Sequence, residues 1–500
     1  DDGGSAIPEY WGNYLAVEAL QSHAEANASD APRVIRALLA HHKQFWKQLS
    51  AGTPPLNVSR WAFARYSDGV VGIEWLLDRV SPTSENAFLW QLLRGLRTGS
   101  DSIMTAADHG WEDWFVSGDP FQFRGQPWNA SDDERVHDPT GTLHLLRHGV
   151  DIGQAIKTGA LWWRVDGDDD DWRNPQAAIE WAERYLHMPD GMYWADENVR
   201  GVTSPARGTE TCSVVETMFS LRTAYEVTGN ISFMDRLERV AFNALPAALW
   251  PDVTANVYHH ASNMLRVTSA PWSYGLYFCC TANVHQGWPK FVLSAVHMQN
   301  EVVVVSGYSP SVSTLPGGTV VTVSGQYPFA DNATITVTAA PGTPPTRIRL
   351  RVPCWAENAT IAVGGGGGDP VVARPCAFAE VLAPSAQPVQ VTFGAEIRLR
   401  VWHNSSVDGQ TAVHEGAIEV HRGPLLFALR PPSTVTVSVQ DPRFPEIKSR
   451  AVEAFPNATW NYGLKVETLK FVRGAAGVPQ VPFDAEAPPP VKVVVEARAV

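Results

Sequence analysis

Three cysteines and a glutamate set the chemistry open to this chain. Glu210 and Cys212 lie in Thr209-Glu210-Thr211-Cys212, and Cys279-Cys280 form an adjacent pair. Together they offer three thiolates and a carboxylate, the number and kind of ligands that a tetrahedral zinc ion accepts. The same residues also admit a disulfide from Cys212 to either member of the pair, or buried inert thiols, and spacing alone leaves these open. A second carboxylate, Glu197, closes Gly191-Met192-Tyr193-Trp194-Ala195-Asp196-Glu197, a short loop before Glu210. A glycosidase needs a proton donor for the leaving oxygen and, if it retains configuration, a nucleophile about 5 Å away. Glu197 as acid/base and a metal-bound cysteine as nucleophile would meet that need. Zinc, however, dampens the nucleophilicity of the thiolate it creates, and most retaining enzymes use a second carboxylate instead.

Helices must position these groups. Cys212 leads into Val214, Met218, Leu221 and Tyr225, a spacing that predicts a helix over Cys212 to Thr228. Cys280 precedes an apolar run from Ala282 to Met298 that reads as a second helix despite Gly287 and Pro289. Partial positive charge at a helix N-terminus favours the thiolate. Helical periodicity extends from about Pro8 to Met298, through Ala31 to Leu49 (Val34, Leu38, His41, Phe45 and Leu49 on one face), Arg60 to Val80, Glu85 to Leu96 with Thr83 as its cap, Pro139 to Val165, Pro175 to His187 and Phe233 to Leu249. Helices in series predict an α/α toroid.

After about Asn300 the period becomes two. Glu301 to Val305, Thr319 to Ser324, Thr334 to Thr338, Thr346 to Val352, Val389 to Phe393, Ile397 to Trp402, Ala417 to His421, Leu425 to Leu429, Thr434 to Val439 and Val491 to Val495 read as strands of one or two β-sandwiches. The glycines from Gly364 to Gly368 read as a hairpin loop. Asp168 to Asp171 lacks calcium-loop spacing and reads as a solvated loop. Trp61, Trp75 and Trp90 fall in helical patterns and are expected in the core.

Five hundred residues, 44% hydrophobic and 18% charged, imply two or three folded domains. A net charge of -13 argues against nucleic acid and anionic membrane as partners. No apolar run approaches the roughly 18 residues of a spanning helix. The chain starts at Asp1 without a leader, so a processed or trimmed segment is expected. Asn-x-Ser/Thr sequons occur at Asn27, Asn57, Asn129, Asn230, Asn332, Asn358, Asn404 and Asn457, eight of eighteen asparagines against about two by chance. That excess predicts a glycosylated protein of a eukaryotic secretory or lytic compartment. Five cysteines are too few for a disulfide scaffold, and Cys354 and Cys376 are expected to be bonded or idle.

Several motifs carry a family resemblance. They are His148-Gly149-Val150-Asp151, Ala195-Asp196-Glu197, Gly208-Thr209-Glu210-Thr211-Cys212, Tyr258 in Asn256-Val257-Tyr258, Cys279-Cys280-Thr281-Ala282-Asn283, Arg351-Val352-Pro353-Cys354-Trp355-Ala356 and Arg422-Gly423-Pro424-Leu425. In these the chain resembles glycoside hydrolase family 127 (GH127), the β-L-arabinofuranosidase type, over nearly its whole length. The resemblance implies an (α/α)6 barrel, entered after its first helices, over 1–298, a β-sandwich over 299–405, and a second sandwich or β extension over 406–500. It implies zinc on Glu210, Cys212, Cys279 and Cys280, Cys279 as nucleophile, Glu197 as acid/base, and His148 and Tyr258 lining the sugar site. His259, His260 and His285 are lesser candidates for touching substrate. Thr281-Ala282 stands where the family typically has two prolines, and the stretch from Glu197 to Glu210 is shorter, which implies a side branch with its own sugar. The leading reading is a retaining zinc-dependent exo-glycosidase on plant- or algal-type glycans. The alternatives are a noncatalytic glycan-binding protein with structural zinc, or a lyase or uronide hydrolase on the same barrel.

Overall fold

The computed structural model describes residues 10–51, 60–104, 110–123, 126–127, 142–199, 201–250, 255–262, 266–271, 278–365, 369–407, 410–429, 432–439, 442–443, 445, 448–454, 462–474, 477–479, 483 and 488–499. The expected class is borne out: helices dominate through Leu293, and strands follow from Val296. Two compact units divide the chain, one of Asp1–Tyr185 with Glu197–Gly201, the other of Leu186–Asp196 with Val202–Val500.

The first unit is helical. Ala31–Ser50 carries Pro32 in its first turn, where the missing N–H costs nothing, and buries Val34, Leu38, His42 and Phe45. The buried histidine is thus His42 rather than His41, because its Nδ1 reaches Leu38 O at 2.8 Å. Helices Arg60–Ala64 and Tyr66–Leu77 replace the single helix expected from Arg60, since Arg65 leaves helical geometry at φ -107°, ψ 17°. Phe88–Met104 starts later than expected, and Thr83 only accepts a turn bond from Asn86 N. Trp90 on this helix is 41% exposed, against the core placement expected for it. The span expected as one helix to Val165 is three, Thr142–Arg147, Gly149–Ala155 and Thr158–Asp166; residues before Thr142 in that reading lie outside the described ones. Asp169–Leu186 corrects two further expectations. Asp169, Asp170 and Asp171 form its first turn, where carboxylates meet the positive end of the dipole, and Pro175 lies inside the helix.

The second unit opens with a two-residue strand, Thr209–Glu210, paired antiparallel with His259–His260. Thr211–Thr228 follows and is buried on nearly all sides, so apolar and small residues make up most of it, with Glu216 buried among them and Arg222 and Glu226 near its end. Gly229, at φ 67°, ends it by donating to Tyr225 O at 2.8 Å. Ile231–Arg239 is capped by Asn230, which accepts from Ser232 N at 3.0 Å, and runs into a π-helical turn at Val240–Ala244. The run expected as a helix to Met298 is instead Phe278–Asn283, a 3-10 turn, and Gly287–Leu293; Val296–Gln299 is already a strand. Gly287 starts that last helix because a Cβ there would sit 3.0 Å from Val215 Cγ1, so glycine lets the two helices approach.

A six-stranded sheet contains Ser311–Thr314, Val320–Gly325, Asn332–Thr338, Pro388–Phe393, Ala359–Val363 and Val371–Ala373 in spatial order. A four-stranded sheet contains Val296–Gln299, Val302–Val305, Thr346–Val352 and Ala377–Ala383. Alternation along them buries Val321, Val323, Ile335, Val337, Val389 and Val391 in the first and Ile348, Leu350 and Val352 in the second, as period-two patterning requires. The hairpin around the glycine run is present, Ile361 opposite Val371, with residues 366–368 outside the described ones. Cys354 and Cys376 form a disulfide. A further sheet joins Ser433–Val439 and Lys448–Ala454 to Arg266–Pro271 and Ala255–Asn256.

Candidate active site

Glu210 and Cys212 stand at the junction of the strand Thr209–Glu210 and the helix Thr211–Thr228. Glu210 keeps extended geometry at φ -73°, ψ 141°, and Cys212 is the second residue of the helix. The junction is pinned by backbone: Thr211 N donates to Tyr258 O at 2.9 Å, and its hydroxyl donates to Val257 O. Gly208 precedes it under tight constraint, because a Cβ there would lie 2.8 Å from Asp196 Oδ1 and 3.2 Å from His260 O. Asp196 accepts from Gly208 N at 2.7 Å and Arg207 Nη1 at 3.2 Å, closing the loop between them.

Cys279 and Cys280 lie inside the helix Phe278–Asn283 rather than just before one, and two bonds fasten their turn to the neighbouring helix. Asn283 Nδ2 and Gln286 Nε2 donate to Glu216 Oε1 at 2.9 and 3.1 Å. Thr281 donates its hydroxyl to Asn256 Oδ1 at 3.4 Å.

The four expected ligands converge. Cys212 Sγ is 3.4 Å from Cys280 Sγ, and Glu210 Oε1 is 3.5 Å from Cys280 Sγ and 3.9 Å from Cys279 Sγ. All four ligand atoms lie within 4.8 Å of one another. Zinc–sulfur bonds of about 2.3 Å and zinc–oxygen bonds of about 2.1 Å give tetrahedral edges of roughly 3.6–3.8 Å, so the set fits zinc. Without a cation the arrangement is costly. Cys279 and Cys280 hydrogen-bonding, burial and the Glu210 charge all push the Cys212 thiol up. The Cys280 thiol is drawn down by Cys212, but the Cys279 bond, burial and Glu210 outweigh that and push it up as well. A divalent cation reverses this balance. Cys212 and Cys280 are buried and Cys279 is exposed, so one thiol of the three can meet a solute.

Tyr258 and the strand His259–His260 border the same junction in this unit; His259 lies opposite Glu210 in the strand pair. The Tyr258 ring is half-buried, 4.5 Å from the His259 ring. His260 is turned instead toward the buried Asp190, 3.3 Å away, and His285 is exposed on the 3-10 turn.

Glu197 and His148 belong to the other unit, where they face each other. His148 is not on a helix, as its motif suggests, but in an extended break between two, at φ -70°, ψ 124°, bridged to Asn198. Gly149 N donates to Glu197 O at 2.9 Å and Val199 N to Arg147 O at 2.9 Å, so the Glu197 segment is laced to that break. Glu197 holds φ 95°, a left-handed conformation that costs a non-glycine residue on the order of 1–3 kcal/mol and collects at functional sites. His148 Nε2 is 3.5 Å from Glu197 Oε1, and Nδ1 is 3.4 Å from Asp151 Oδ1. Burial pulls the imidazole down, but the Asp151 and Glu197 carboxylates push it up to about 9, so it is charged at neutral pH. Sequence reasoning quoted Asp151 and Asp196 in motifs without giving either a function, and passed over Arg65. The signals available were a carboxylate three residues after a histidine for Asp151 and one preceding another carboxylate for Asp196; spacing offered none for Arg65.

Comparison with known families finds one match within the chain. Residues 194–292 match the family model of the β-L-arabinofuranosidase GH127 catalytic domain. The resemblance read from the motifs is thereby borne out. GH127 is a family of glycoside hydrolases, and the matched segment carries Glu210, Cys212, Cys279 and Cys280. Similar solved structures include a protein titled glycoside hydrolase, with TM-score 0.48 and 15% identity over 75% of this chain and 70% of that one. Another is a GH127 β-arabinofuranosidase, at TM-score 0.46 and 14% identity over 87% and 72%. A third is a GH127 β-L-arabinofuranosidase from Geobacillus stearothermophilus T6, at TM-score 0.49 and 13% identity over 86% and 68%. No curated protein matches the chain.

Proposed function

We propose that the chain is a retaining, zinc-dependent exo-glycosidase of β-L-arabinofuranosidase type. The observation that carries this reading is the convergence of Glu210, Cys212, Cys279 and Cys280 within 4.8 Å inside the GH127-matched segment. Zinc held by those four would keep the thiols deprotonated at neutral pH. Cys279, the exposed thiol, attacks the anomeric carbon as the C–O bond to the leaving group breaks, and Glu197 gives its proton to the departing oxygen. Glu197 then takes a proton from water, the hydroxide attacks the same carbon, and the C–S bond breaks to restore the thiolate. Two inversions give net retention. His148 and Tyr258 bind sugar hydroxyls.

The substrate is a plant- or algal-type glycan bearing terminal β-L-arabinofuranose. Secretion or residence in a lytic compartment of a eukaryotic cell is supported by the sequons, since Asn27, Asn230, Asn332, Asn358 and Asn404 are all exposed; Asn57, Asn129 and Asn457 lie outside the described residues. Among the described residues no helix is long and apolar enough to cross a membrane.

Metal analysis of the purified protein and turnover of an aryl β-L-arabinofuranoside, with the product anomer followed by NMR, test the reading. Stoichiometric zinc and release of the β anomer are expected. Zinc and sugar binding without turnover of any glycoside would leave a binding protein, and an inverted product would remove the sulfur nucleophile.

A further inference from the structure

His148 and Glu197 have places in the proposed reaction; Asp151 and Arg65 do not, yet they are the more expensive residues to bury. Asp151 has no exposed side-chain surface, and Arg65 is 5% exposed. Charges persist at such depth only when paired. Arg65 Nε donates to Asp151 Oδ1 at 2.7 Å, and the same oxygen is the one that faces His148 Nδ1. The guanidinium is itself held between rings, 4.0 Å from the Trp11 centroid and 4.9 Å from that of Trp61. Trp61 also meets the His148 ring, 5.0 Å between centroids, edge to face. His148 sits in a break between helices, so no helix repeat fixes its side chain.

We propose that Asp151, anchored by Arg65, is a positioning residue that holds the His148 ring with Nδ1–H directed to its own carboxylate and Nε2 directed to Glu197. A carboxylate facing one imidazole nitrogen keeps a proton on that nitrogen and fixes which way the ring lies. Arg65 and His148 together hold the Asp151 carboxyl below the usual range against the opposing effect of burial, which suits a fixed anion. Where it concerns turnover, this inference rests on the proposed function.

The test uses the full chain and three variants, Asp151→Asn, His148→Ala and the double. Asp151→Asn is expected to lower kcat/KM for an aryl β-L-arabinofuranoside at least tenfold, and to lower it less than twofold further when His148 is already alanine. Losses that multiply in the double variant would overturn the inference, because Asp151 would then act other than through His148. Asp151→Asn leaves Arg65 buried beside a neutral amide, so Arg65→Gln/Asp151→Asn, which removes both charges, is measured alongside with the same expectation. Imidazole nitrogen NMR, with His148 assigned by its disappearance in His148→Ala, gives a readout free of turnover. The Nδ1 resonance should move away from the protonated position in Asp151→Asn, and an unmoved resonance would overturn the inference. A wild-type protein inert toward every glycoside would instead sink the proposed function, with the nitrogen shifts still deciding the role of Asp151.

Discussion

At the scale of single residues, the three clustered cysteines differ in what they expose, and that difference separates their expected phenotypes. Cys279→Ser should retain the fold and part of the zinc while losing turnover by about 10³-fold or more, since a serine alkoxide is not available at neutral pH. Cys212→Ser removes a buried ligand and should lose zinc first, measured by metal content after dialysis. Glu197→Gln should lower kcat/KM for glycosides of poor leaving groups by about 10²–10⁴-fold, the usual worth of a general acid, and spare kcat/KM for acidic phenols, whose kcat still falls because water then lacks its base. Equal slowing across leaving groups would remove Glu197 from that role. These residues were legible because their types are rare and their chemistry narrow. Asp151, Arg65 and Asp196 were not. Each works through a contact that is near in space and undefined by spacing: Arg65 reaches Asp151 across 86 positions.

Elements were legible where one period ran unbroken and illegible at breaks. Thr211–Thr228 and Thr346–Val352 were read nearly to their ends because apolar residues recur at helical spacing along the first and at every second position along the second. The breaks at Arg65 and His148 interrupt sequences that read as continuous helical patterns. The strand at Val296–Gln299 was read as helix for a related reason: a short apolar run carries no period of its own. Gly208 provides a test at this scale. Gly208→Ala forces a methyl against Asp196 Oδ1 and the fixed carbonyl of His260, and should destabilise by about 1–3 kcal/mol. Because Glu210 lies two residues on, zinc affinity should fall with it, read by competition with a chelator. Ending the chain before Ser433 removes the partner of the strand Arg266–Pro271 and should lower zinc occupancy through the segment leading to Cys279.

For the molecule as a whole, α-then-β order was legible from the change of period near Asn300, whereas the long-range pairings were not, since nothing local encodes a partner 180 positions away. One such pairing governs acid stability. In the second unit, Glu419 on the strand Ile418–Arg422 accepts from His187 Nε2 at 2.7 Å and His421 Nε2 at 2.9 Å. Burial opposes the Glu419 charge, but the two histidines hold its carboxyl at about 2, below the ordinary 4.5. A depressed folded value means the stabilisation is complete above the unfolded value and lost as pH falls from about 4.5 through about 2. Urea midpoints should therefore drop across that window, and Glu419→Gln should flatten the drop. The pairing of Lys448–Ala454 with Arg266–Pro271 has a different reach, into biogenesis. At roughly 5–20 residues per second, a ribosome delivers the later strand on the order of ten seconds or more after the earlier one. For that interval the vicinal thiols downstream of Pro271 already exist on a nascent chain whose sheet has no second half, and any oxidant present would find them before their scaffold does.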